Sequence, residues 1–161
     1  MIKELLNKEH ILTAVFDLST LTPNGDVFFD GAIETLRMFR ETETIMGLVA
    51  AAHTGWVKLA LDHLDLRKRF DYFWMVGPCG YISPQDWKNA LGTFWPQNAI
   101  IVGSGLSEDI CEIGVRYPVC VSRNGEILNA KREFERTIIN IGSIADLASA
   151  LGDRMRVGNF G

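Results

Sequence analysis

The segment LTAVFDLSTLT, Leu12 to Thr22, decides how this chain is interpreted, because it joins an apolar run to a carboxylate. Four of its first five residues are apolar, and Asp17 follows them directly. An apolar run of this kind predicts a buried strand. A carboxylate at the end of such a strand either caps the next turn by accepting backbone amide hydrogens or belongs to a functional site. The hydroxyl-bearing Ser19 and Thr20, which come next, could assist in either role.

Length and composition describe an ordinary globular chain. It has 161 residues, of which 47% are hydrophobic and 22% charged, and its formal net charge is −4. These values exclude a disordered or fibrous chain and favour one domain spanning residues 1–161. The scattered basic residues give no sign of a nucleic-acid partner. The compact basic run Arg67–Arg69 is interpreted as a solvated helix end, with a phosphate-binding patch as the alternative.

The cysteines and the N-terminus predict a cytoplasmic protein. Cys79, Cys111 and Cys120 lie far apart without metal-ligand spacing, which is typical of reduced thiols. The first ten residues, MIKELLNKEH, are charged and amphipathic, so they predict neither a signal peptide nor a membrane span.

Apolar runs alternate with amphipathic segments along the chain, and this alternation indicates parallel strands joined by crossover helices. The predicted fold class is α/β: a doubly wound, Rossmann-like three-layer sandwich with a mainly parallel sheet of five or six strands. Gly152 is expected to end the closing helix. The strands are predicted at Leu12–Leu18, Ile45–Ala52, Asp71–Gly77, Asn98–Gly105 and Val119–Ser122, with a short sixth strand in the segment that starts at Thr137.

The predicted fold places the carboxylate of Asp17 at the edge of the sheet where ligands bind. In open parallel sheets, ligands bind beyond the carboxyl ends of the strands, where the strand order reverses. The first strand ends at Asp17, and the fourth strand ends in VGSGLSEDI, which carries Glu108 and Asp109. Carboxylates from two strand ends that meet in one crevice could hold a hard cation such as Mg²⁺.

At this point the residues resemble a family, the haloacid dehalogenase (HAD) superfamily of aspartate-nucleophile hydrolases. The resemblance runs from about Leu12 to Leu151. TAVFDLSTLT is similar to the first motif, MGLVAAAH to the second, ISPQDWKNAL to the start of the third, and AIIVGSGLSEDI to the fourth. The short interval between the first two motifs leaves no room for a cap domain, so the resemblance is to capless members.

The resemblance implies a set of site residues. Asp17 matches the catalytic nucleophile, and together with Asp109 it matches the positions of metal-ligating acids. Ser19, Thr20 and Ser104 fall at positions that would contact a substrate. The implied substrate class is a phosphorylated small molecule, and the implied cofactor is Mg²⁺.

Most of the other catalytic positions depart from the family pattern. Ser19 stands where the family has its general acid, and a serine hydroxyl is a poor proton donor. The hydroxyl of the second motif falls at Ala50 or Ala51, and the lysine of the third motif falls at Ser83, with Lys88 one turn further on. Ser104 replaces the first acid of the fourth motif. With so few ligands, Mg²⁺ binding is predicted to be weak or absent.

Three interpretations follow. The first is a catalytically impaired HAD-like protein that serves as a binding or regulatory module. The alternative is an active Mg²⁺-dependent phosphatase that forms an aspartyl-phosphate at Asp17. A receiver-like or nucleotide-binding domain is the third, although the acidic pair and late lysine typical of receivers are missing. The aromatic stretch Phe94–Pro96 in a predicted loop favours a homo-oligomer or a protein partner. The residues alone also leave Asp17 as a turn cap and Asp109 as an acid at a helix start.

Overall fold

The structure is a computed structural model that describes residues 2–77, 81–106, 108–122 and 138–158. Within these ranges, positions 54, 108, 109, 157 and 158 are described by their backbone only. Cys79 therefore lies outside the described residues. No helix among the described residues is both long enough and apolar enough to cross a membrane.

Six strands form one sheet in the order β3-β2-β1-β4-β5-β6, and every neighbouring pair is parallel. The predicted α/β class is confirmed, with six strands and no antiparallel pair in the described sheet. Compared with the predicted bounds, β1 and β2 are two residues shorter, β3 and β4 are three residues shorter, and β5 is one residue longer because it begins at Tyr117. They are β1 Thr13–Asp17, β2 Ile45–Ala50, β3 Tyr72–Met75, β4 Ala99–Gly103, β5 Tyr117–Val121 and β6 Ile139–Ile141.

Strand β1 lies in the middle of the sheet, between β2 and β4. Its register places Asp17 opposite Val49 on β2, and Phe16 opposite Val102 on β4. The strand order runs outward in one direction from β1 to β3 and in the other from β4 to β6, so it reverses between β1 and β4. Asp17 ends β1 next to this reversal, which is where open parallel sheets place their ligands.

Helices connect the strands. The predicted end of the closing helix at Gly152 is wrong: the helix continues to Gly158. Gly152 keeps a negative φ, whereas a glycine that ends a helix adopts a left-handed conformation. The helices are α1 Ile2–Lys8, α2 Ala32–Glu41, α3 Thr54–His63, α4 Leu66–Arg69, α5 Pro84–Leu91 and α6 Leu147–Gly158.

One face of the sheet carries the larger core. Alternate side chains of β1, Ala14 and Phe16, point to this face, as the two-residue period of a strand requires. Phe16 packs edge to face against Phe39 of α2, with ring centroids 5.6 Å apart, and against Phe70 at 6.0 Å. Helices α1, α2, α3, α4 and α6 also contribute apolar side chains to this layer.

The opposite face carries a smaller core. Val15 of β1 and Val49 of β2 pack here against Trp87, Ala90 and Leu91 of α5. Trp87 is 1% exposed and is the largest fully buried side chain among the described residues. Helical layers therefore cover both faces of the sheet, and the predicted three-layer sandwich is confirmed.

Strand β3 is at the edge of the sheet. Its side chains Phe73, Trp74 and Met75 are 36%, 39% and 44% exposed. The strand contains no charged residue or proline, the usual protections of an exposed edge. The aromatic content of β3, which a sequence pattern would assign to a core, thus lies largely at the surface.

Gly47 tests the packing of β2 against β3. A Cβ added at Gly47 would overlap the ring and the hydroxyl of Tyr72, so Gly47→Ala is expected to destabilise the protein by about 1–3 kcal/mol. The matched control is Gly55→Ala on α3, where an added Cβ has no neighbour within 4 Å. That change should be neutral or stabilising by up to about 1 kcal/mol. Urea unfolding measures both, and equal effects of the two substitutions would contradict the packing.

Candidate functional site

Asp17 is held at the carboxyl end of β1 by the turn that follows it. A short 3₁₀ turn, Leu18–Thr20, starts immediately, and Asp17 is its N-cap residue. The backbone amide of Ser19 donates to Asp17 Oδ1 at 3.1 Å. The capping role that the sequence left open for Asp17 is therefore confirmed, and it occupies one of the two carboxylate oxygens.

Two serine hydroxyls lie within hydrogen-bond distance of the other carboxylate oxygen, Asp17 Oδ2. Ser19 Oγ lies 2.8 Å from Asp17 Oδ2, and Ser104 Oγ lies 3.2 Å from the same atom. The two hydroxyls are 2.7 Å apart, so the three oxygen atoms form a closed triangle. Ser104 directly follows β4, the neighbour of β1, and the sheet register brings its hydroxyl to the end of β1. We call Asp17, Ser19 and Ser104 the acid–serine cluster.

Burial controls the ionisation of this carboxyl group. Asp17 is 8% exposed, and its burial raises the pKa above the ordinary value of 3.8. Hydrogen bonds from Ser19 and Ser104 act in the opposite direction but do not outweigh it. A protonated carboxyl also suits the triangle, because two hydroxyls have two protons for three contacts and the carboxyl proton supplies the third.

The space in front of the acid–serine cluster is small. A cavity of about 40 Å³ adjoins Asp17 and Ser104. This volume exceeds the roughly 10–15 Å³ that one water molecule needs, but it is far below the roughly 300–1,000 Å³ of typical small-molecule pockets. The described residues that line it include no lysine, arginine or histidine, and most are apolar: Tyr81, Ile82, Pro84, Trp87, Gly105, Leu106 and Ile110.

Thr20 has a different orientation from the two serines. Its side chain is fully buried, and its hydroxyl donates to the main-chain oxygen of Asp17 at 2.6 Å. This bond helps to fix the turn after β1. The contact of Thr20 with a substrate stays a prediction, as do those of Ser19 and Ser104.

The second and third motif positions carry no phosphate-binding group in the described structure. Ala50 ends β2 and is buried. Ser83 caps α5: its hydroxyl accepts from the Asp86 amide at 3.1 Å, and its own amide donates to Asp86 Oδ2 at 2.9 Å. This reciprocal capping box uses Ser83 for helix formation. Lys88 is exposed on the same helix.

Candidate metal ligands are sparse among the described side chains. These side chains contain no group of three histidine, cysteine, aspartate or glutamate residues placed to hold an ion. Asp109 lies in the 3₁₀ segment Glu108–Ile113, and its side chain is outside the described part of the structure. Asp17 is then the one described carboxylate at the crevice, which is a poor ligand set for Mg²⁺.

Sequence analysis did not identify Tyr81 and Trp87 as residues of the crevice. Both line the cavity beside Asp17, and Tyr81 is 50% exposed. A signal for Trp87 existed, because it follows Ser83 by four residues on the helix that starts there. Tyr81 precedes the helix in a loop, where sequence periodicity gives no direction.

Comparison with known proteins identifies the fold. No protein-family profile matches the chain, and no curated protein matches its sequence. A HAD-like family hydrolase from Xanthomonas campestris superposes with a TM-score of 0.63 at 11% identity, over 84% of this chain and 58% of that one. The chain has a HAD-like fold. The resemblance inferred from the motifs is thereby confirmed at the level of the fold.

Two other solved structures have the same HAD-like fold. The cobalt-bound deoxy-D-mannose-octulosonate 8-phosphate phosphatase from Haemophilus influenzae matches over 93% of both chains, with a TM-score of 0.56 and 9% identity. CbbY from Rhodobacter sphaeroides in complex with phosphate superposes with a TM-score of 0.55 at 14% sequence identity, over 78% of this chain. The chain spans 58% of the Xanthomonas protein and 59% of CbbY.

The raised pKa of Asp17 predicts a pH dependence of stability. Because the folded state binds this proton more tightly than the unfolded chain, the contribution of Asp17 to stability is fully present below pH 3.8 and is lost as the pH rises through the native pKa. Asp17→Asn removes the cost of the buried charge and keeps a good capping side chain. Its melting temperature should equal or exceed that of the wild type at about pH 7, with the gain shrinking towards pH 4.

Circular dichroism melting across this pH range measures the effect. Asp26→Asn is the control, because the Asp26 side chain is 69% exposed. A destabilised Asp17→Asn protein at neutral pH, with the control unchanged, would contradict the assignment and show that the serines stabilise the ionised carboxylate.

Proposed function

We propose that this chain is a HAD-like protein that binds rather than hydrolyses, and that it works as a capless unit of residues 1–161 with a binding or regulatory role. The observation that carries the proposal is the state of Asp17. Its two carboxylate oxygens already accept from the Ser19 amide and from the serine hydroxyls, beside a cavity of about 40 Å³.

The chemistry of phosphoryl transfer supports this proposal. An aspartate nucleophile has to be ionised and has to present a free oxygen to phosphorus. Burial raises the pKa of Asp17, and both of its carboxyl oxygens already accept hydrogen bonds from Ser19 or Ser104, which reduces their nucleophilicity. At the general-acid position Ser19 is a weak proton donor, and the loss of a general acid commonly slows a reaction by about 10²- to 10⁴-fold.

Charge neutralisation is the second requirement, and the described crevice supplies little of it. Phosphoryl transfer depends on cations and hydrogen-bond donors that stabilise the transferred group. Ala50 and Ser83 stand where a hydroxyl and a lysine are expected, and Ser83 is engaged in helix capping. We infer weak or absent Mg²⁺ binding, because the described carboxylates give the ion Asp17 alone.

The experiment is a phosphatase panel on the purified protein, with and without Mg²⁺. Substrates with good leaving groups are the fairest test, because they need no general acid. We expect no turnover above that of Asp17→Asn. Asp26→Asn, which removes the same charge at an exposed site, controls for nonspecific effects. Mg²⁺-dependent turnover that is lost in Asp17→Asn and kept in Asp26→Asn would establish the alternative, an active phosphatase.

For the binding role, the edge strand β3 is the surface we propose. Its exposed Phe73, Trp74 and Met75 present apolar side chains, and an edge strand also has outward backbone donors and acceptors. Two copies of the same strand can pair antiparallel across a two-fold axis, a self-complementary contact that opposes no like charges within Tyr72–Met75. The predicted homo-oligomer then forms along β3.

A lysine on the edge tests this surface. Trp74→Lys adds a charge of the kind that blocks edge pairing, and it should shift the protein from dimer to monomer. Light scattering coupled to size-exclusion chromatography reports the molar mass. Trp95→Lys is the matched control, because Trp95 is 75% exposed but lies in the segment before the turn Pro96–Asn98. If Trp95→Lys alone dissociates the dimer, the aromatic loop is the contact. A monomeric wild type would contradict self-association.

A further inference from the structure

A basic groove lies between α2 and α4, away from the acid–serine cluster. It has a volume of about 280 Å³ and is lined by Leu36, Arg37, Arg40, Asp65, Lys68 and Arg69. Four cations and one carboxylate thus face one groove in a chain whose net charge is −4. We call these six residues the basic groove.

Two separate helices supply the cations. Arg37 and Arg40 are three residues apart on α2 and therefore lie on the same side of the helix. Lys68 and Arg69 come from the last turn of α4. Arg67, the first residue of the basic run, instead pairs with Asp62 at 3.3 Å. The interpretation of the run as a helix end is correct for its position, but the fold adds two arginines that the sequence run does not contain.

The guanidinium groups of Arg40 and Arg69 are held in place by the protein. Arg40 Nη1 donates to Asp71 Oδ1 at 2.9 Å, and Arg40 Nη2 donates to the Arg69 carbonyl at 2.7 Å. Arg69 Nε donates to the Leu64 carbonyl at 3.3 Å, and its guanidinium lies 5.5 Å from the centre of the Phe28 ring. Such fixed groups lose less conformational freedom when a ligand binds.

The other two cationic side chains, those of Arg37 and Lys68, are exposed and form no ion pair with a described residue. No carboxylate of the described residues lies within ion-pair distance of Arg37 or Lys68. With Arg40 balanced by Asp71, the lining keeps an excess of positive charge among the described residues. The combination of planar guanidinium groups and an ammonium group suits the several oxygens of a phosphate-type anion.

We propose that the basic groove binds a small, soluble, multiply charged phosphate compound at a site separate from the Asp17 crevice. The two sites share no lining residue. Asp71, which fixes Arg40, precedes β3 and also accepts from the Met46 amide near the start of β2, whereas Asp17 ends β1. The groove is therefore near the amino ends of the strands, opposite the crevice, and the proposal holds whether or not the crevice is catalytic.

Calorimetric titration of the full chain with inorganic pyrophosphate tests the site. We expect saturable binding that weakens as salt is added, because exposed charges are screened. Arg37→Gln/Lys68→Gln should lose at least about tenfold in affinity, since each charge-assisted hydrogen bond is one of the stronger kind. Both side chains are exposed, so folding should be intact, and circular dichroism checks it.

Two controls make the outcome specific. Lys3→Gln/Lys58→Gln removes the same charge from exposed positions outside the groove and should leave the affinity within about twofold. Asp17→Asn should also leave it unchanged. Absence of pyrophosphate binding, equal losses in the two double variants, or loss in Asp17→Asn would each overturn the proposal. Binding to phosphatidylserine vesicles without binding to pyrophosphate would overturn it as well, by assigning the charges to a membrane surface.

Discussion

Burial of the carboxyl end of β1 is the constraint on which the site depends. The strand has a neighbour on each side and a helical layer on each face, so Asp17 leaves water although it ends the strand. A buried carboxyl has to be hydrogen-bonded or neutral. The acid–serine cluster and the cap on the Ser19 amide supply the bonds, and the raised pKa favours the neutral form.

Much of the fold could be predicted because local patterns and the global architecture agree. The apolar run of β4 is buried at every position, as a strand covered on both faces should be. The error at Gly152 has a physical cause: Leu147, Leu151 and Met155 are all fully buried, and this helical spacing continues past the glycine. A stop signal in the sequence was weaker than the packing of one helix face. The exposed aromatics of β3 were also unpredictable, because edge position follows from strand order and not from composition.

The position of Asp17 could be predicted from the sequence, whereas its hydrogen-bond partners could not. Asp17 directly follows an apolar run, so its place at the end of a strand can be inferred from the sequence. The hydrogen bond between Ser19 and Ser104 joins residues 85 positions apart, and it arises from the register between β1 and β4. The outward or inward direction of a hydroxyl is set by the turn itself, which is why Ser19 reaches the carboxylate while Thr20 donates to a main-chain oxygen.

The two serines and the small cavity beside Asp17 have a common physical explanation. Ser19 and Ser104 lie 2.8 Å and 3.2 Å from the same oxygen of Asp17, and 2.7 Å from each other. Carboxylates at these positions would place three like charges in contact within a buried site, which is tolerable only when a cation or added protons compensate them. Hydroxyls donate where carboxylates would repel, so they let the end of β1 remain buried without an ion.

An incoming phosphate group would meet no cation among the described lining residues of this crevice, whereas four cations line the groove between α2 and α4. Among the residues that the structure describes, cations therefore line the groove near the amino ends of the strands and not the crevice beside Asp17.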